Sequence, residues 1–169
     1  SIIINSCEIT NLSSLPNSTE LITLKNSKCF DNEVTLPYYT KELESIGTII
    51  NNIRFKNPAY LEKLDIYTDV VLDMNNLKDC TNLKEISLQR VSNIRNAHIL
   101  KTLPNLETIT LDEYASIWLD LDTLNSLPIS QPTKEYLTNQ ITTLDNLATT
   151  IIPPNQELKK KKKTKEIVL

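Results

Sequence analysis

LKEISLQRV (83–91) and LETITLDEY (106–114) carry the same spacing of apolar side chains, offset by 23 residues. The first sets Leu83, Ile86, Leu88 and Val91 where the second sets Leu106, Ile109, Leu111 and Tyr114. Steps of three and then two fit neither a helix stripe near 3.6 nor a plain strand repeating every 2. A chain that turns into a short strand fits both steps. The two residues of LxL then point the same way into a core, and the leucine three places back packs from the turn that leads in.

The pattern extends in both directions. LEKLDIYTD (61–69) lies 22 residues upstream with Leu61, Leu64 and Ile66. Downstream, LNSLPISQP (124–132) supplies Leu124, Leu127 and Ile129, and LATTIIPPN (147–155) supplies Leu147, Thr150, Ile152 and Asn155. Nearer the N-terminus the register blurs. TELITLKNS (19–27) offers Thr19, Ile22 and Leu24, INNIRFKNP (50–58) offers Ile50, Ile53 and Phe55, and IIINSC (2–7) offers Ile2, Ile4 and Cys7. Between these copies, NAHILKTLPN (96–105), MNNLKDCTN (74–82) and YYTKELESIG (38–47) read as short helical segments, the last closing at Gly47. A short strand and a short helix in about 22 residues cannot bury their apolar faces alone, so stacked neighbours must supply the core. The competing reading is a non-repetitive α/β domain whose leucine-rich stretches match by chance.

The spacing resembles the leucine-rich repeat, LxxLxLxxN/CxL with a period of 20 to 29. The resemblance covers 50–155 well and 1–50 loosely. Its asparagine place holds Asn155 once and elsewhere Cys7, Ser27, Pro58, Asp69, Val91, Tyr114 and Pro132, which points to an irregular, divergent array. It implies an α/β leucine-rich-repeat solenoid of about seven repeats, with a curved parallel sheet on the concave side and short helices or turns on the convex side. The expected organisation is a repeat domain over 1–155, its register clear from about 50, and a lysine-rich tail over 156–169.

Composition narrows the function classes. The chain has 169 residues, 40% of them hydrophobic, and a single glycine, Gly47. A glycine-rich phosphate cradle is therefore excluded as an expectation. Cys7, Cys29 and Cys80 are three widely spaced thiols without a CxxC pair, so neither a disulfide framework nor a zinc site is expected, and an intracellular, cytoplasmic or nuclear setting is. The opening stretch lacks the basic region and cleavage site of a signal peptide. The net charge of -3 hides an asymmetry: six lysines fall at 159–165, leaving 12 basic against 20 acidic residues in the first 158. Nucleic acid or an anionic membrane is thus an expected partner only through the tail, the alternative function being an adaptor targeted by that run.

No residue set converges on chemistry. His98 is the only histidine and falls on a connecting segment. Cys29 to Asp31 spell CFD, which is expected to lie inside the repeats and not in a catalytic domain, and WLDLD (118–122) reads as a solvated acidic edge. A non-enzymatic module without cofactor, metal or small-molecule substrate is the expectation, binding a protein through the residues that flank the inward positions. Those candidates are Arg54, Lys56, Asp65, Tyr67, Gln89, Arg90, Asp112 and Glu113, with Tyr67 and Arg90 as anchors. Together with Lys25, Lys63, Glu85 and Glu107 they form an expected gradient from basic to acidic along the face.

Overall fold

Alternating inward side chains make the strands, and equal spacing makes them pair. The computed structural model describes residues 1–30, 33–50, 52–69, 71–112, 121–127 and 129–151. In chain order the strands are β1 (Ile2–Asn5), β2 (Glu8–Ile9), β3 (Leu21–Lys25), β4 (Lys28–Cys29), β5 (Glu33–Leu36), β6 (Glu42–Ile46), β7 (Asn52–Phe55), β8 (Lys63–Tyr67), β9 (Val71–Asp73), β10 (Glu85–Gln89), β11 (Asn93–Arg95) and β12 (Thr108–Leu111). Short 3-10 helices occupy Pro58–Tyr60, Met74–Leu77 and Ala97–Thr102, and among the described residues two α-helices follow, α1 (Leu121–Ser126) and α2 (Gln131–Ile151). The fold is α/β.

One six-stranded parallel sheet, in the order β1-β3-β6-β8-β10-β12, runs through it. Register aligns Ile2, Ile22, Leu43, Leu64, Ile86 and Ile109 in one row, and Ile4, Leu24, Ser45, Ile66, Leu88 and Leu111 in the next. Successive rungs are therefore 20, 21, 21, 22 and 23 residues apart. Parallel strands need a long connection, and each of these spans carries one. The remaining strands form the parallel pairs β2–β4, β5–β7 and β9–β11. Their Ile9, Cys29, Val34, Leu36, Ile53, Leu72 and Ile94 join the same hydrophobic core as the six-stranded sheet.

Recurrent hydrogen bonds tie rung to rung. Ahead of each strand a single carbonyl accepts two N–H groups of the next rung: Glu20 from Lys41 and Glu42, Lys41 from Glu62 and Lys63, Glu62 from Lys84 and Glu85, Lys84 from Glu107 and Thr108. Behind the strands, Ser6, Asn26, Gly47 and Arg90 take left-handed backbone. A Cβ on Gly47 would lie 2.6 Å from Asn26 Oδ1, so here glycine answers a close approach as well as a positive φ of 61°. Past these turns, hydroxyls serve the backbone of the neighbouring rung. The Cys7 N–H donates to Ser27 Oγ and the Ser27 N–H to Thr48 Oγ1, at 3.3 and 3.0 Å.

Three expectations are corrected. The segment 38–47 is not helical: Glu42–Ile46 forms β6 and supplies the third rung, while Gly47 ends a strand. Ile50, Ile53 and Phe55 belong to no rung of the main sheet, because β7 pairs with β5. Leu124 sits on α1 with Leu127 just past its end, and Leu147 and Thr150 sit on α2, so the last two copies fall on or beside helices where strands were expected. The physical reason is that a step of three suits a helix face as well as the approach to a strand. Pro132 near the start of α2 also fits a helix entry, where its missing N–H costs nothing. Leu124, Leu127, Ile129, Leu137 and Ile141 are buried all the same, and the helices pack on each other, on the 97–102 segment and on β12. No helix among the described residues is long and apolar enough to cross a membrane. The lysine run and the rest of 152–169 lie outside the described residues.

Candidate functional site

All-parallel sheets ordinarily have both faces covered. Here the second face of β6, β8 and β10 is polar: Glu42, Glu85 and Tyr67 are exposed, and Glu44, Ile46, Lys63, Asp65, Ser87 and Gln89 half-buried. Register sets these residues in three rows across the strands. Glu42, Lys63 and Glu85 form the first, Glu44, Asp65 and Ser87 the second, Ile46, Tyr67 and Gln89 the third.

Charge alternates along the edge where the strands begin. Glu20, Lys41, Glu62, Lys84 and Glu107 stand at the equivalent place of consecutive rungs, with Lys41–Glu20 at 3.1 Å and Lys84–Glu62 at 3.0 Å. Lys63 Nζ lies 3.1 Å from Glu85. That hydrogen bond and charge, with smaller help from Glu42 and Asp65, raise the Lys63 pKa and keep it cationic. Lys84 is raised in the same way, first by its hydrogen bond to Glu62.

At the other end the strands run into an open cleft of about 600 Å³ lined by Tyr67, Asp69, Gln89, Arg90, Val91, Ser92 and Asp112. The left-handed turn at Arg90 aims its backbone N–H at Asp112 Oδ2, 2.6 Å away. Its guanidinium carbon sits 6.0 Å from the Tyr67 ring centroid, at the outer reach of a cation–π contact. Gln89 Nε2 donates to Ser87 Oγ at 3.3 Å. Tyr67, Gln89, Arg90 and Asp112 thus come together, and Asp65 lies one row away on β8.

Arg54 and Lys56 do not join them. Arg54 is on β7, where its Nε meets Glu33 at 2.9 Å, and Lys56 Nζ donates to the Ser13 carbonyl at 2.7 Å. The expected basic end of the six-stranded face is therefore missing, with Lys25 its remaining member on β3. Glu113 lies outside the described residues.

Sequence reading also missed an aromatic cluster. Tyr38, Tyr39 and Tyr60 meet edge to face or tilted, with ring centroids 4.8 Å (38–39), 5.9 Å (38–60) and 4.9 Å (39–60) apart, each partly exposed. The signal is present as PYYT (37–40) and PAYL (58–61), offset by one 21-residue rung, but a helical reading of 38–47 hides it. His98 is exposed on its 3-10 helix, and among the described residues no group of three His, Cys, Asp or Glu is arranged to hold a metal ion. Burial pushes the Cys80 thiol up to about 12, with Asp79 adding, and raises Cys29 too, so neither is an activated nucleophile. Comparison with family models, with curated proteins and with solved structures finds no match.

Proposed function

We propose that the chain is a divergent leucine-rich-repeat solenoid that acts as a non-enzymatic module, docking a protein partner on the outward face of β6, β8 and β10. The observation that carries this is the uncovered parallel sheet face, which leads into the Tyr67–Arg90 cleft. Covering that face would be the usual state of such a sheet, and a partner supplies the cover. The rung spacing of 20 to 23 residues supports the repeat assignment, since it falls within the family's period. Tyr67 and Arg90 are the residue types that dominate binding hot spots, and the cleft between them and Asp112 offers a place for a partner side chain.

The test is affinity against stability. A partner isolated by affinity capture and then purified should bind Tyr67→Ala/Arg90→Ala at least tenfold more weakly, with the thermal midpoint of the variant unchanged. Unchanged affinity would remove the face from consideration. Deleting 159–169 provides the contrast, because a partner held by the lysine run would be lost on that deletion and kept by the double variant.

A further inference from the structure

We propose that the face takes a cationic protein segment, a lysine or arginine seated over Glu44 and Asp65 with an apolar neighbour against Ile46 and Tyr67. This rests on the docking-face reading and names the chemistry of its partner. Glu44 and Asp65 are aligned on adjacent hydrogen-bonded strands, which run about 4.8 Å apart in a sheet. Like charges so placed repel, and neither carboxylate has an ion pair or hydrogen bond among the described residues. The cation on the same face of β8, Lys63, is bonded to Glu85 on the strand away from Glu44.

Counting across β6, β8 and β10, four carboxylates (Glu42, Glu44, Asp65, Glu85) face one ammonium (Lys63), and Lys25 on the neighbouring β3 is aligned with Ile46, leaving Glu44 opposite Thr23. The deficit is positive charge. A partner's cation would relieve the Glu44–Asp65 repulsion and meet two acceptors at once, which a neutral or acidic segment cannot do. The next row adds specificity, for Ile46 is half-buried and Tyr67 is 40% exposed, a surface that suits an aliphatic or aromatic side chain. Arg90 then fixes direction. Standing beyond Tyr67, it repels a second cation there and confines the partner's positive charge to the Glu44–Asp65 side.

A phage-displayed random peptide library selected on the whole chain tests the proposal. Enriched peptides should carry Lys or Arg next to an aliphatic or aromatic residue. Their affinity should fall about tenfold on Glu44→Gln/Asp65→Asn at low salt, and the difference should shrink at 0.5 M NaCl. Both substitutions remove repulsion, so the variant should melt no lower than the parent, which circular dichroism checks. Acidic or neutral peptides that still respond to Tyr67→Ala/Arg90→Ala would overturn the cationic assignment and leave the docking face standing. Cationic peptides that ignore Glu44→Gln/Asp65→Asn would overturn it equally. Peptides indifferent to both pairs, or no enrichment at all, would overturn both readings.

Discussion

Gly47→Ala probes whether the turn behind β6 is as tight as its geometry requires. At φ 61° a non-glycine residue sits in left-handed backbone, which costs roughly 1–2 kcal/mol. Replacing glycine also narrows the unfolded ensemble, which returns about 0.4–1 kcal/mol. The new Cβ must in addition displace Asn26 Oδ1, which stands 2.6 Å from its position. That contact involves the end of a side chain and can be relieved by rotation, so the net loss should be about 1 kcal/mol and below about 2. For a chain of this size the melting temperature should then fall by about 2–6 °C. Urea unfolding followed by circular dichroism and by amide exchange measures it, and the two probes must coincide for the loss to be read as a single two-state value. In an Asn26→Gly background the clash is gone, and the same substitution should cost less. A midpoint that rises in Gly47→Ala, or an identical loss in both backgrounds, would refute the reasoning.

Leu64→Ala, at a fully buried place in the middle of the six-stranded sheet, should cost about 2–5 kcal/mol, whereas Phe55→Ala on half-buried β7 should cost less despite the larger side chain removed; denaturant midpoints compare them. A thiol reagent at pH 8 should modify exposed Cys7 and reach Cys29 and Cys80 only after unfolding, as mass spectrometry would show. The raised Cys80 pKa has a sign. Its contribution is whole below the ordinary value of 9.0 and is lost as pH climbs from there toward about 12, since the unfolded chain ionises first. Between pH 8 and 10.5 the parent should therefore lose more stability than Cys80→Ala does. Lys84→Glu, which sets three acids in succession at 62, 84 and 107, should lower the melting temperature at low salt and recover much of the loss in 1 M NaCl.

What could be read beforehand depended on whether the inward places held aliphatic side chains. Rungs at Leu64, Ile86 and Ile109 have leucine in the lead place and Ile or Leu in both strand places, and all three were legible. The rung at Leu43 has Thr40 ahead of it and Ser45 as its second inward residue, so the pattern is nearly erased. Both polar residues are buried, and the fold satisfies them locally. Ser45 Oγ donates to the Thr48 carbonyl at 3.1 Å and Thr40 Oγ1 to the Pro37 carbonyl at 3.1 Å. Those bonds are tertiary facts with no sequence signature, and the error they caused put Arg54 and Lys56 into a face they do not share. The Tyr67, Gln89, Arg90 and Asp112 grouping followed from the clear rungs and was legible. The Glu44–Asp65 pair was hidden, because it requires the register of the rung that was missed.

The alternation of Glu20, Lys41, Glu62, Lys84 and Glu107 gives the array a parity. Neighbouring rungs carry opposite signs and next-nearest rungs the same sign. Excising one rung would bring like against like, Glu20 beside Glu62 for instance, whereas excising two in succession would restore attraction. The same rule disfavours a domain-swapped or misaligned pairing that slips by one rung and tolerates one that slips by two. In any shortened or lengthened version of this chain, pairs of rungs are the electrostatically neutral step.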